Sequence, residues 1–162
     1  MSDKNSRTEV MKAFKDDTEA ASGPLIAVPG YNLSVPVEIR FRDTDAIGHV
    51  NNAVYLTYCE QARAHYWQFL FGEKAYAKCG FVLARAAMDF RSPCYSGETL
   101  LVGVKTIRLG NCSFTQRYEL RERDSGRLAA EGEHVLVTVD ADGKPVPLPG
   151  HIREAIKRHD GI

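Results

Sequence analysis

The sequence predicts an α+β domain in which one long helix lies against an antiparallel sheet. Three observations lead there. Apolar residues first recur with period two, then at steps of three and four for about five helical turns, then with period two again through four further stretches. Short polar turns join those later stretches, which makes neighbouring strands antiparallel. The chain has 162 residues, 44% of them hydrophobic, which is room for one core of this kind and hardly for two.

The first strand is read from Val37, Ile39 and Phe41, which alternate with Glu38, Arg40 and Arg42 and follow Pro36. Tyr55, Tyr58, Cys59, Ala62, Tyr66, Phe69 and Leu70 then form the apolar stripe of the helix. Asn51 or Asn52 is its N-cap, because an Asn side chain accepts from the unpaired amides of a first turn. Val82, Ala84, Ala86, Met88 and Phe90 alternate next, as do Leu100, Val102, Val104 and Thr106, then Phe114, Gln116, Tyr118 and Leu120, and last Val135, Val137 and Val139. Ser96-Gly97-Glu98, Gly110-Asn111 and Asp124-Ser125-Gly126 supply the turns. Phe81, Leu83, Leu101 and Ile107 make a second apolar face that another subunit is expected to cover in part, so a homo-oligomer is expected. Pro147 and Pro149 precede a short helix over His151 to Arg158, with Ile152, Ala155 and Ile156 on its apolar side. The expected organisation is a partly flexible leader over 1–32, in which Val10, Met11 and Phe14 line a short helix, a folded domain over 33–146, and the short C-terminal helix within 147–162.

Composition removes several function classes. Lys plus Arg (21) equals Asp plus Glu (21), which leaves no global field to attract nucleic acid or an anionic membrane surface. No run reaches the ~20 apolar residues of a membrane-spanning helix. Cys59, Cys79, Cys94 and Cys112 contain no C-x-x-C pair, and the first residues lack the features of a signal or transit peptide, so free thiols in a cytoplasmic setting are expected. There is no phosphate loop, no G-x-G-x-x-G and no G-x-S-x-G elbow.

The segment that carries chemistry is the loop Asp43 to Asn52, between the first strand and the helix. The first amides of a helix lack partners and sit at the positive end of its dipole, so an oxyanion docked there gains hydrogen bonds. Asp45 is placed to act beside that point as general base or nucleophile, and Gly48 lets the chain turn tightly. A plain structural loop, with Asp43 and Asp45 paired to Arg40 or Arg42, stays open on composition alone. Asp43, Asp45 and His49 have no second His at ligand spacing, so no metal is expected. Glu60 and Arg63, three apart on the helix, read as a structural ion pair.

The run from Arg40 to Tyr55, RFRDTDAIGHVNNAVY, followed by Glu60-Gln61-Ala62-Arg63, resembles the signature of hotdog-fold thioesterases of the 4-hydroxybenzoyl-CoA thioesterase family. Tyr95-Ser96-Gly97-Glu98 before a strand and Ser113 to Glu119 within a later one add to the resemblance, which spans roughly 35–145. It implies a hotdog fold, a long helix wrapped by an antiparallel sheet and doubled by dimerisation, and an acyl-CoA thioesterase that works as a homodimer or homotetramer without a cofactor. The second acid of D-x-D falls on Asp45, as nucleophile or general base toward the thioester carbonyl. Asn52 matches the residue whose main-chain amide polarises that carbonyl. Gly48, His49 and Val50 match the turn around the acyl group, Asn51 and Tyr55 complete the expected substrate-binding set, and Arg108 is the match for a basic residue holding the nucleotide of coenzyme A. A noncatalytic acyl-thioester-binding or assembly protein using the same groove is the alternative.

Overall fold

A computed structural model describes residues 26–73 and 80–162; the leader positions Val10, Met11 and Phe14, and Cys79, lie outside the described residues. The elements in order are strand β1 (Ser34–Glu38), helix α1 (Asn52–Phe71), strands β2 (Phe81–Phe90), β3 (Thr99–Leu109), β4 (Ser113–Glu122) and β5 (Leu128–Thr138), and helix α2 (Gly150–Asp160). The strands form one sheet in the order β1-β3-β4-β5-β2, antiparallel at every pairing, so β1 and β2 are its edges. Helix α1 lies across the inner face. This is the hotdog arrangement.

Packing against α1 explains the inner rows. Tyr55, Tyr58, Cys59, Ala62, Tyr66 and Trp67 are buried from the helix, and Val37, Leu100, Val102, Val104, Phe114, Tyr118, Leu120 and Leu136 meet them from the sheet. Trp67 stacks on Phe71 and Phe81 and meets Phe114 edge-on. Fully burying one such large side chain contributes about 1.5–3 kcal/mol, so this helix face anchors the domain. Asn51 is the N-cap, its Oδ1 accepting from the Ala53 amide at 2.9 Å, and Gly72 ends the helix with φ 93°. Phe69, expected in the stripe, is 64% exposed; its ring rests against His159 of α2, while Trp67 and Arg63 take buried positions instead.

Three expectations are corrected. The first strand begins at Ser34 and ends at Glu38, and Phe41 is 84% exposed within a single 3-10 turn over Phe41–Asp43. The Asp43 carboxylate accepts from the Arg40 amide, and this cap curls the chain out of the sheet before the alternation of Ile39 and Phe41 can continue. Phe81 and Leu83 do not form a second face. A bulge between Leu83 and Arg85 shifts the register, so Phe81 and Leu83 point inward in the first part of β2, and Ala86, Met88 and Phe90 point inward after it. The outer face of the central strands is charged: Arg117 binds Glu133 at 2.7 Å and Arg91 binds Glu131 at 3.0 Å. Val28 and Tyr31 lie over Gly103 on that face, where a Cβ would meet Tyr31 at 2.7 Å. Helix α2 is longer than the expected span, and Ile156 is fully buried while Asp160 Oδ2 accepts from the Tyr66 hydroxyl (2.6 Å) and the Thr106 amide (2.8 Å).

Candidate active site

The loop is held by three main-chain links. Thr44 and Val50 form an isolated antiparallel bridge, the Val50 amide donates to Cys94 O at 2.9 Å, and the Asn51 amide donates to Asp43 O at 2.9 Å. Between them the chain turns tightly, with the Asp45 amide donating to His49 O (2.8 Å) and the Gly48 amide to Asp45 O (3.0 Å). Gly48 has φ 83°, and a Cβ there would meet nothing within 4 Å, so the left-handed backbone rather than space calls for glycine.

The two acids of the loop divide their roles. Asp43 is buried and structural: its Oδ2 accepts from the Arg40 amide at 3.0 Å and from the Tyr58 hydroxyl at 2.9 Å, and its carboxylate pairs with the Arg40 guanidinium. Burial pushes the Asp43 carboxyl up, but those donors outweigh it and hold it below the usual carboxylate range. Burial, then the facing Asp43 carboxylate, pushes the Tyr58 phenol up. Asp45 is exposed. Its Oδ1 accepts from the Ile47 amide (3.0 Å) and the His49 amide (3.3 Å), while Oδ2 has no hydrogen-bond partner among the described residues. The arginine clamp allowed for both acids falls on Asp43 alone.

The helix start supplies the donor. Asn51 takes the Ala53 amide with its side chain and the Val54 amide with its carbonyl, and among the described residues the Asn52 amide has no acceptor. The surrounding wall is aromatic: His49 meets Tyr95 edge-on at 5.3 Å, and Tyr55 meets Phe90 at 5.1 Å. Val50 and Tyr55 are buried. Behind the loop, Arg127 fixes the segment that Val50 rests on, donating to Pro93 O, Ser92 Oγ and Glu98 Oε1. Sequence spacing marks neither Arg127 nor, beyond its place in the helical stripe, Tyr58; the Arg40-x-x-Asp43 cap spacing is the one local sign of the clamp. Among the described residues no group of three or more His, Cys, Asp or Glu is placed to hold a metal ion.

Asp45, Gly48, His49, Val50, Asn51, Asn52 and Tyr55 therefore share one end of the molecule, and Arg108 does not. Arg108 is on the outer face, donating to Thr115 Oγ1 at 3.4 Å beyond a second bulge in β3. It lies nine residues along that strand from Thr99, or about 30 Å at ~3.3 Å per residue. Arg63, read as the partner of Glu60, is buried, and its Nη1 donates to the Tyr118 hydroxyl at 3.2 Å.

The Thioesterase-like superfamily model matches residues 39–156. The crystal structure of a thioesterase complexed with coenzyme A and Zn from Thermus thermophilus is 40% identical, covers 83% of this chain and 98% of its own, and superposes with a TM-score of 0.75. The protein YsmA of Bacillus subtilis (strain 168) is 31% identical over 121 residues, 74% of this chain and 82% of its own. The chloroplastic acyl-acyl carrier protein thioesterase ATL3 of Arabidopsis thaliana is 26% identical over 122 residues, 72% of this chain and 64% of its own.

Proposed function

Because this chain belongs to the thioesterase-like superfamily and is a thioester hydrolase with the hotdog fold, we propose that it cleaves an acyl- or aryl-CoA to the free acid and coenzyme A. The observation that carries the reading is that one short loop holds, seven residues apart, a carboxylate, Asp45, with one oxygen uncommitted and the Asn52 amide, unpaired among the described residues. The thioester carbonyl oxygen docks on the Asn52 amide, where the helix terminus stabilises the charge of the tetrahedral state. Water then attacks the carbonyl carbon and gives its proton to Asp45 Oδ2, the C–S bond breaks, and the thiolate leaves. In the nucleophilic variant Asp45 Oδ2 itself attacks, and water hydrolyses the resulting mixed anhydride. The two Asp45 amide bonds fix the carboxylate against the loop in either case. Gly48, His49 and Val50 turn the chain around the acyl group, and Asn51 and Tyr55 line its entry.

The reading includes a homodimer, or a homotetramer of such pairs. Strand β2 is an edge that, among the described residues, nothing covers, and it exposes Val82, Leu83 and Phe90. Antiparallel pairing of two such edges would set the far end of one sheet beside the loop of the other copy, and would bring the second copy's Arg108 toward the coenzyme A bound here. A cytoplasmic setting is supported by the free thiols of Cys59, Cys94 and Cys112. Thiol release from a panel of acyl-CoAs tests the whole. The Asp45→Asn variant should fold and lose ~10² to 10⁴ in turnover; unchanged hydrolysis rejects the role of Asp45, and binding without thiol release by the unaltered protein favours a noncatalytic binder.

A further inference from the structure

Beneath the inner face of the sheet lies a polar group that the loop chemistry does not use. Gln116 and His134 are register partners on β4 and β5, both fully buried. Gln116 Oε1 accepts from the Tyr118 hydroxyl at 2.7 Å, which leaves its amide nitrogen as the other end, and Nε2 has no partner among the described residues. His134 Nδ1 faces Arg63 Nη1 at 3.4 Å. A guanidinium cannot accept, so Nδ1 is the acceptor and the proton sits on Nε2, which also has no partner among the described residues. Burial, then the Arg63 charge, lowers the imidazole to about 4, so the ring is neutral. The Trp67 indole N–H, beside Phe114, is a third buried donor without an acceptor among the described residues. Native interiors rarely leave such groups unmet, and ordered water or a bound ligand meets them where protein groups do not. All three are donors, so whatever meets them presents oxygen.

Access runs along β2. Ala86, the register partner of His134, is exposed although it points inward, as are Leu83 (44%) and Phe90 (39%). One step along, Gly132 has no side chain and the Met88 thioether fills the hollow, its sulfur lying where a Cβ would collide with it. Met is unbranched and swings readily, so the barrier between the open strip and the donors is a movable one. Phe90 and Tyr55 mark the end of this strip nearest the loop. Arg63 is eleven residues into α1 from Asn52, about 16 Å along the axis at ~1.5 Å per residue.

We propose that Gln116 and His134 form the polar floor of the acyl site, reached past Met88, and select medium-length acyl groups that carry an oxygen acceptor at the end remote from the thioester. The proposal rests on the thioesterase reading for the position of the thioester. The test separates the two. Trp67 is the only tryptophan, so its fluorescence reports binding without turnover. Decanoic and ω-hydroxydecanoic acids are titrated against the full chain and against Gln116→Met, whose cooperative melting checks the fold, and thiol release is followed with both CoA thioesters. The unaltered protein should bind the hydroxy acid at least about tenfold more tightly, and Gln116→Met should lose that preference while keeping decanoic acid. Equal affinities in the unaltered protein, no binding of either acid, or a preference that survives in Gln116→Met overturns the proposal. If Gln116→Met does not fold, the comparison in the unaltered protein decides. Discrimination between the acids with neither thioester split leaves the floor standing and removes the hydrolase reading; splitting of both thioesters with equal kcat/KM, and no discrimination, does the reverse.

Discussion

Replacing Tyr58 by Phe removes one hydroxyl and tests whether Asp43 pins the loop from Asp43 to Asn52 to the helix. The hydroxyl donates to Asp43 Oδ2 at 2.9 Å in a buried setting, and Asp43 is ionised. A hydrogen bond to a charged group contributes about 1.5–3 kcal/mol, so the variant should lose that much at pH 7. For a chain of this size that is a fall in Tm of about 3 to 12 °C, at ~2–4 °C per kcal/mol. Asp43 has a folded value depressed below its usual 3.8. Its stabilisation is therefore present above that value and is lost as pH falls through the folded one. Tyr58→Phe relieves part of the depression, so the gap between variant and unaltered protein should be full at neutral pH and shrink as acid protonates Asp43. Urea unfolding at pH 7 and again below about pH 4 reads both terms. A gap under about 0.5 kcal/mol at pH 7, or one that does not change with acid, refutes the clamp.

Four further outcomes follow from the same geometry. Asp160→Ala strips the acceptor from Tyr66 and from the Thr106 amide, and should cost about 2–4 kcal/mol by denaturant unfolding; a cost under about 1 kcal/mol removes the anchoring role of α2. Gly132→Ala drives a methyl into Ala87 O and should cost about 1–3 kcal/mol or more, read by thermal melting. Gly48→Ala has space but the wrong φ, so about 1–2 kcal/mol of strain should appear together with slower thiol release. Leu83→Lys on the β2 edge should move sedimentation from the proposed dimer to monomer, and a monomer in the unaltered protein or an unchanged profile in the variant removes pairing through that edge.

Local signals were legible wherever one residue type answers one backbone need. Asn51 announced the helix start because its side chain meets an unpaired amide, and Tyr55, Tyr58, Cys59, Ala62 and Tyr66 announced the buried stripe because helical spacing puts them on one side. Gly97 and Gly126, both with positive φ, marked turns for the same reason. What the sequence hid are pairings made across the fold. Arg63 is polar and three residues from Glu60, so nothing local says that Tyr118 and His134 wait for it on the sheet. Asp43 and Asp45 look alike in the chain, and only the packing of Tyr58 separates the buried acid from the exposed one. The outer position of Arg108 depends on a bulge, which alternation alone does not reveal.

The bulge in β2 makes that strand a splice of two phases. Its first half delivers Phe81 onto Trp67, and its second half delivers Met88 over Gly132, although strict alternation would let an odd-numbered and an even-numbered position share a side only once the count is broken. Deleting Ala84 alone would remove the bulge and leave Phe81 and Leu83 facing inward, whereas pairing the strand without the bulge and with Ala84 kept would turn both outward and empty the stack on the single tryptophan. What fixes the side that Phe81 takes is the bulge together with its extra residue, and loop trimming or homologue grafting across 81–85 has to keep both or lose both.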